Sequence, residues 1–160
     1  MKTIAALIAT NSSLDKFQST INSISNQTRK IDKLVVINDA GRYERIELEK
    51  ILEKSRIPFK LINNSKNLGL TRSLNIGIKF CKEDYIARAD SGDLWHPEKI
   101  KLQEDFLNKN QDFVCIGNQC GYFVDDIDKI ISVSNFPTSS EKILNSVNFI
   151  GLSIAHHASI

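Results

Sequence analysis

Short apolar runs alternate with helical patterns along the first two-thirds of the chain. The runs have the length of buried strands and cover Ile4 to Ala9, Leu34 to Ile37, Phe59 to Ile62 and Tyr85 to Ala87. Each is followed by a stretch whose apolar residues recur at helical spacing. Because strands and helices that alternate over short links form parallel sheets covered on both faces, the pattern predicts an α/β fold with a mainly parallel, Rossmann-like sheet flanked by helices.

The stretches between the runs predict amphipathic helices. Ser12 with Asp15 predicts a capping box before the first helix, and Pro97 is expected where the fourth begins. The periodic positions are Leu14, Phe17, Ile21 and Ile24, then Tyr43, Ile46, Ile51 and Leu52, then Leu70, Leu74, Ile78 and Cys81, and finally Ile100, Gln103, Phe106 and Leu107.

The alternation ends after residue 112. Thr138 with Glu141 forms another capping-box pattern and predicts a helix through Ile143, Leu144 and Val147. Before it, extended chain is expected at Phe113 to Gly117 and Gln119 to Val124, a turn at Asp125-Asp126, and a strand at Ile130 to Val133.

Composition narrows the class of protein. The chain has 160 residues, which suits one domain over 1–160, and 21 basic against 19 acidic residues give a net charge of +2. That balance gives no electrostatic case for nucleic acid or an anionic membrane surface. The apolar run Ile4 to Ala9 is shorter than the ~7–15 residues of a signal-peptide core. No run approaches the ~20 residues of a membrane span, so we expect a cytoplasmic protein without a transmembrane segment.

The cysteines and the histidine pair of the sequence are not expected to bind a metal. Cys81, Cys115 and Cys120 are sparse and odd in number, which favours small buried hydrophobic residues in a reducing cytosol over a structural zinc site or a disulfide. The pair His156-His157 has no carboxylate neighbours in the sequence, which favours a loop or the end of an element over a metal site.

Polar residues follow all the predicted strands of the first two-thirds. They are Thr10-Asn11, Asn38-Asp39, Asn63 to Asn67, and Arg88 with Asp90 and Asp93. Ligands of an open parallel sheet bind beyond the carboxyl ends of its strands. Asp90 and Asp93 suit one Mg²⁺ or Mn²⁺, since these ions prefer oxygen ligands. The alternative is a turn that caps the following helix, which explains both residues without a metal.

Segments in this order and spacing resemble family 2 glycosyltransferases, which are inverting enzymes with the A-type nucleotide-sugar-binding fold. The resemblance covers residues 4 to about 107. It rests on Leu7 to Thr10 with Ser23-Ile24-x-x-Gln27-Thr28, on Leu34 to Gly41, on Asn67-Leu68-Gly69-Leu70-x-x-Ser73-Leu74-Asn75-x-Gly77-Ile78, and on Tyr85 to Asp93 followed by Pro97.

The resemblance implies a role for each matching position. Asp90 and Asp93 would hold a Mn²⁺ or Mg²⁺ ion that offsets charge on the departing nucleotide diphosphate. Arg72 would contact the diphosphate or be an ordinary surface arginine. The residues expected at the nucleotide of the donor, with a UDP-sugar as the first choice, are Ala9, Thr10, Asn11, Asp39, Asn67, Arg72 and Asp90.

The sequence departs from the family pattern at three positions. Asn11 stands where the family usually has an aromatic residue, and Asn38 replaces the first of two paired acids. Gly92 occupies the position of the second carboxylate of the Asp-x-Asp motif, so we assign that ligand role to Asp93, one residue later.

The expected function is transfer of a sugar from a nucleotide-diphosphate donor to an unknown saccharide or lipid-linked acceptor, with inversion, in bacterial cell-surface polysaccharide synthesis. Residues 1–110 would form the nucleotide-sugar-binding region and residues 111–160 the start of the acceptor-side region. The catalytic base would lie beyond residue 160 and stays unassigned. This would make the chain the donor-binding part of a longer enzyme, truncated at its C-terminus. Peripheral membrane association is compatible with this reading, and exposed apolar surface near the C-terminus would favour a homodimer.

Alternative functions stay open on the sequence alone. A non-catalytic nucleotide-sugar-binding module, or an inactive fragment, is favoured by Gly92, Asn11 and the missing acceptor side. A regulatory domain of similar fold without a nucleotide site is a further alternative, because fold does not fix function. A nucleotidyltransferase would need a glycine-rich phosphate loop after the first strand, and the sequence has none there.

Overall fold

The computed structural model describes residues 2–40, 43–124 and 128–144. The strands and helices predicted for the first two-thirds of the chain are confirmed. In chain order the elements are β1 (Ile4–Thr10), α1 (Leu14–Ser25), β2 (Lys33–Asn38), α2 (Arg45–Ser55), β3 (Phe59–Asn63), α3 (Leu70–Ile78), β4 (Tyr85–Asp90), α4 (Lys99–Lys109), β5 (Gly121–Phe123) and β6 (Ile130–Val133).

The main sheet is parallel and has the strand order β3-β2-β1-β4. Its register aligns the strand ends, because Thr10 pairs with Asn38 and Ala9 pairs with Asp90. β5 and β6 form a separate antiparallel pair. The predicted mainly parallel sheet is therefore confirmed, and the loops that follow its strands leave from the same edge.

The hydrophobic core lies on both faces of this sheet. On one face Ile4, Ala6 and Ile8 of β1 pack with the apolar stripe of α1 and with side chains of α2 and α4. Leu7 lies on the other face, in a smaller cluster with side chains of β2 and α3. Burying each large aliphatic side chain contributes about 1.5–3 kcal/mol, so the core fixes the strands that carry the loops.

Helix α3 approaches the sheet through its smallest side chains. Its buried residues are Ser73 and Gly77, whereas Leu70 and Ile78 are 45% and 48% exposed. A Cβ atom at position 77 would lie 2.4 Å from Leu7 Cδ1. The predicted helix is correct, but two of the apolar residues that indicated it do not lie on its buried face, because close approach to β1 and β2 requires glycine there.

Two predicted helix caps are wrong. The N-cap of α1 is Ser13, which makes no side-chain capping bond, and the Ser12 hydroxyl instead lies 2.5 Å from the Ser91 hydroxyl. Ser12 is diverted because the turn after β4 brings Ser91 within reach. Near the C-terminus, the backbone amide of Lys142 donates to Ser139 Oγ at 3.3 Å. The cap is thus Ser139, one residue after the predicted one.

The prediction for residues 113–124 is correct only in part, since β5 covers three residues and 113–117 contain no strand. Outside a sheet the segment has little to pack against, and Val114 is 98% exposed. Cys115 is exposed as well, so its predicted burial is wrong, while Cys81 and Cys120 are half-buried. Asp125-Asp126, Val147 and His156-His157 lie outside the described residues.

A valine at position 77 tests the close approach of α3. In Gly77→Val the new side chain would overlap the buried Leu7 and Ile37 side chains. Overpacking of this kind costs about 1–3 kcal/mol, so we expect the free energy of unfolding in urea to fall by about 2 kcal/mol. Asn75→Val places the same side chain on the exposed face of the helix and should change that free energy by less than about 0.5 kcal/mol. Equal losses in both variants would contradict the packing described.

Candidate functional site

Loops that follow β1, β2 and β4 meet at the carboxyl edge of the sheet. The backbone amide of Asp39 donates to the Thr10 carbonyl at 3.0 Å, and Thr10 Oγ1 donates to Ser91 Oγ at 3.1 Å. Asn38 Nδ2 donates to Asn63 Oδ1 at 3.1 Å, which joins the end of β3 to this group. The polar residues that the sequence placed at strand ends are therefore brought together.

The Asp39 carboxylate is a buried anchor within this edge, only 5% exposed. Its Oδ1 accepts from Asn64 Nδ2 at 2.7 Å and from the Leu68 amide at 2.8 Å, and its Oδ2 accepts from the Gly69 amide at 2.9 Å. Gly69 is the N-cap residue of α3. Asp39 therefore holds the loop after β3 and the start of α3 against β2.

Burial and hydrogen bonding act on the Asp39 carboxyl in opposite directions. Burial raises its pKa, but hydrogen bonds from the Leu68 amide, Asn64, Ser73 and the Gly69 amide together outweigh that effect. The pKa of Asp39 therefore lies below the ordinary value of 3.8, and the group is a carboxylate at neutral pH. The nucleotide-binding role given to Asp39 stays a prediction, to which the structure adds this anchoring role.

A tight turn follows β4 and carries the two acids of the predicted metal site. The Asp93 amide donates to the Asp90 carbonyl at 3.1 Å, and Gly92 has a φ of 114°. Such a four-residue turn brings its first and last Cα atoms within about 7 Å of each other. The turn explains why a glycine stands at position 92, since L-residues rarely adopt that backbone conformation.

Both acids lie near basic groups. Asp90 Oδ1 accepts from an Arg88 guanidinium nitrogen at 2.7 Å, and the Asp90 side chain is 28% exposed. Asp93 lies close enough to Lys99 for its charge to raise the lysine pKa. The turn is therefore a site of mixed charge in which the carboxylates remain partly accessible.

Lys99 is a site residue that the sequence analysis missed. It is 8% exposed, and its Nζ lies 3.7 Å from the centroid of the Trp95 ring without a hydrogen-bond partner among the described residues. Burial lowers its pKa to about 7, although nearby Cys120 and Asp93 act in the opposite direction. A lysine near the start of an amphipathic helix is normally expected to be exposed, so no signal in the sequence identifies Lys99 as buried.

The remaining predicted residues surround this edge. Ala9 is half-buried beside Asp90 in the sheet, and Asn11 is exposed directly after Thr10. Asn67 is exposed, with its side-chain oxygen accepting from the Gly69 amide at 2.9 Å. Arg72 is exposed on α3. These side chains are open to a ligand, but no described contact joins Arg72 to the Asp90–Asp93 turn.

The carboxylates at the turn suit a cation whose remaining ligands come from a bound substrate and from water. Within residues 2–40, 43–124 and 128–144, no group of three or more His, Cys, Asp or Glu residues could hold a metal ion. Mg²⁺ is usually bound through one or two carboxylates together with substrate phosphates, and keeps several waters. Asp90 and Asp93 on one turn supply that number of carboxylates, so the residues present fit a cation shared with a diphosphate.

Replacing Asp39 by asparagine tests the anchor. In the unmodified chain backbone amides donate to the Asp39 carboxylate, and in Asp39→Asn they would face a neutral amide group instead. We therefore expect the free energy of unfolding at pH 7 to fall by about 1–3 kcal/mol. Because the folded pKa is lowered, the stabilisation by the carboxylate is complete above pH 3.8 and disappears as the pH falls through the folded value. Urea unfolding at pH 7 and pH 2.5 should therefore show a deficit that shrinks in acid.

A matched control lies on α4. Asp105 is exposed, so Asp105→Asn should shift the unfolding free energy by less than about 0.5 kcal/mol at either pH. An Asp39→Asn deficit that stayed constant between pH 7 and pH 2.5 would contradict the charged anchor.

Comparison with curated proteins gives several glycosyltransferases. The chain is 28% identical over 122 residues to an uncharacterized glycosyltransferase of Haemophilus influenzae, which covers 76% of this chain and 46% of that protein. It is 25% identical over 103 residues to the amylovoran biosynthesis glycosyltransferase AmsE of Erwinia amylovora, covering 64% of this chain and 39% of the relative. The chain therefore spans less than half the length of these relatives.

Comparison with solved structures gives chains with the same fold. The structure of Staphylococcus aureus TarS 1-349 in complex with UDP matches with a TM-score of 0.61 and 17% identity, over 68% of this chain and 33% of TarS. The mannosyltransferase PcManGT of Pyrobaculum calidifontis, in complex with GDP-Man and Mn²⁺, matches with a TM-score of 0.58 and 13% identity, over 66% of this chain and 32% of that one. At these identities the likeness shows the fold, the A-type fold of glycosyltransferases.

The model of one protein family matches almost the whole chain. That model is "Glycosyl transferase family 2", and it covers residues 6–157. The match extends beyond the first four strands into the segment that contains β5 and β6. The resemblance drawn from the sequence is thereby confirmed, and this chain belongs to glycosyl transferase family 2.

Proposed function

We propose that this chain binds a nucleotide-diphosphate sugar, with a UDP-sugar as the first choice, as the donor for a metal-assisted, inverting glycosyl transfer. The observation that carries the proposal is the turn that presents Asp90 and Asp93 at the sheet edge shared with Thr10 and Asp39. Family membership supports it, as do the neighbours of the same fold that are complexed with UDP or with GDP-Man and Mn²⁺.

Different residues of this edge would contact different parts of the donor. The half-buried Ala9 and the exposed Asn11 and Asn67 would contact the base and ribose beside Thr10, and Arg72 would reach the diphosphate. Asp90 and Asp93 would hold Mn²⁺ or Mg²⁺. When bound, that cation would offset negative charge on the departing nucleotide diphosphate.

The organisation of the whole enzyme is part of the same proposal. Residues 1–110 would form the nucleotide-sugar-binding region, and residues 111–160 would begin the acceptor-side region, with a saccharide or lipid-linked acceptor. Relatives named for amylovoran biosynthesis and for galactosyl transfer to a diphosphoundecaprenol-linked sugar support a place in cell-surface polysaccharide synthesis. The cytoplasm is the compartment that we propose for this chain. None of the helices in the described part of the chain is long and apolar enough to cross a membrane.

A second candidate function is donor binding without transfer. It is favoured by Gly92, which removes the second carboxylate of the family motif. In this case the chain would bind a nucleotide sugar weakly and with little dependence on the cation. Cation dependence therefore separates the two functions.

Calorimetric titration with UDP, with and without Mn²⁺, tests the proposed site. We expect binding by the unmodified chain that strengthens with Mn²⁺, and at least a tenfold weakening in Asp90→Asn and in Asp93→Asn, which corresponds to about 1.4 kcal/mol each. The physical reason is that asparagine keeps the shape of the side chain but removes the charge that binds the cation. Titrations with GDP and with Mg²⁺ would then establish the base and the ion.

Asp105→Asn serves as the control, since Asp105 is exposed on α4, outside the Asp90–Asp93 turn and its described contacts, and its affinity should match that of the unmodified chain. Unchanged Mn²⁺-dependent binding in Asp93→Asn would refute the ligand role of Asp93. If Mn²⁺ changes the affinity for UDP in none of the variants, the second candidate function, donor binding without transfer, would be favoured.

We also propose that the chain forms a homodimer through apolar surface near β5 and β6. Val124, Ile131 and Val133 are 63%, 68% and 64% exposed, and large exposed apolar surfaces are typical of protein–protein interaction sites. Sedimentation at rising protein concentration should show a dimer, and Ile131→Ser should shift it toward monomer. A monomer at the highest soluble concentration would contradict the proposal.

A further inference from the structure

We infer that three polar side chains, namely Thr20 and Ser23 on α1 and Gln27 just beyond its C-terminal end (the α1 polar stripe), are positioning residues for the Asp90–Asp93 turn. All three side chains hydrogen-bond to the segment between β4 and α4, so they face it from the same side. The inference deepens the proposed function and rests on it, because it assigns these residues the task of placing the two donor-binding carboxylates.

Thr20 holds the turn itself. Its side chain is fully buried, and Oγ1 accepts from the Gly92 amide at 2.8 Å. As a donor, Oγ1 lies 2.9 Å from the carbonyl oxygen of Asp93 and 3.1 Å from that of Lys16. A single hydroxyl thus binds the backbone immediately before and after the Asp93 side chain, which fixes the direction in which that side chain leaves the turn.

The other two residues hold the chain that leads from the turn to α4. Ser23 Oγ accepts from the Trp95 amide at 3.1 Å. Gln27 is fully buried, its Nε2 donates to the His96 carbonyl at 2.8 Å, and its Oε1 accepts from the Ile100 amide at 3.1 Å. The stripe therefore satisfies backbone groups on both sides of the turn-to-helix connection.

The segment depends on these bonds because it has no regular secondary structure of its own. Residues 91–98 contain only turns and irregular chain, so no ladder or helix supplies partners for their backbone groups. Backbone groups that are shielded from water require partners, and here Thr20, Ser23 and Gln27 provide them. Since a binding constellation tolerates displacements of only about 0.5 Å, loosening the turn should weaken ligand binding before it unfolds the protein.

Thr20→Val removes the hydroxyl while keeping the shape of the side chain. We expect its Mn²⁺-dependent affinity for UDP to fall at least tenfold at a temperature where the variant is fully folded by circular dichroism. Amide hydrogen exchange in the ligand-free chain should accelerate at Gly92 and Trp95 but not in β1 or β2. Thr20→Ser, which keeps the hydroxyl, should restore both affinity and protection.

Ser19→Val is the matched control, because Ser19 is exposed one residue away on the same helix. A purely structural role would lower the midpoint of thermal unfolding in Thr20→Val and leave the affinity unchanged, and that result would overturn the inference. An equal loss of affinity in Ser19→Val would overturn it too. If Thr20→Val does not fold, Ser23→Ala, which removes the bond to the Trp95 amide, takes its place with the same expectations.

The exchange measurement separates this inference from the proposed function. If the unmodified chain binds no nucleotide diphosphate, the proposed function fails, and exchange at Gly92 and Trp95 alone decides whether the stripe holds the turn. Unchanged exchange at Gly92 in Thr20→Val would overturn the inference whatever the nucleotide result.

Discussion

The candidate site depends on one constraint, which is that buried backbone groups of its loops need hydrogen-bond partners. The loops leave the carboxyl edge of the sheet without regular structure, so the scaffold beneath them must provide those partners. Asp39 does this for the loop after β3, through the amides of Leu68 and Gly69, and Thr20 does it for the turn after β4. Both side chains are at least 95% buried, so water cannot take their place.

This constraint divides the acidic residues of the edge into two kinds. Asp39 is buried and its charge is satisfied within the chain, so its carboxylate stabilises the loop that a ligand would meet. Asp90 and Asp93 lie on a partly exposed turn beside Arg88 and Lys99. The anchoring carboxylate is thus distinct from the two carboxylates of the proposed cation site, although all three are aspartates that follow apolar runs in the sequence.

The sequence was sufficient for features that depend on local pattern. Apolar runs of strand length predicted β1 to β4, and the parallel register then brought Thr10, Asn38 and Asp90 to one edge as expected. The pattern was insufficient where a side chain has a distant partner. Ser12 is a good capping residue that bonds to Ser91 instead, and Thr20 on α1 and Gln27 just after that helix are buried although they are polar. Their partners lie about 70 residues away in the chain, so no local rule identifies them.

Gly92 illustrates why a departure from a family pattern need not remove a function. A side chain at position 92 would have room, because the nearest atom to a Cβ there is Lys16 Cδ at 3.7 Å. The obstacle is the backbone, whose φ of 114° is strained for any L-residue, at a cost on the order of 1–2 kcal/mol. A carboxylate at 92 would therefore require a different turn, with a different position for the amide that Thr20 binds. In the turn that this chain forms, glycine at 92 closes the bend and Asp93 becomes the next carboxylate along it. The glycine and the shifted acid are then two consequences of one backbone conformation, which is why the proposed cation site uses Asp90 with Asp93.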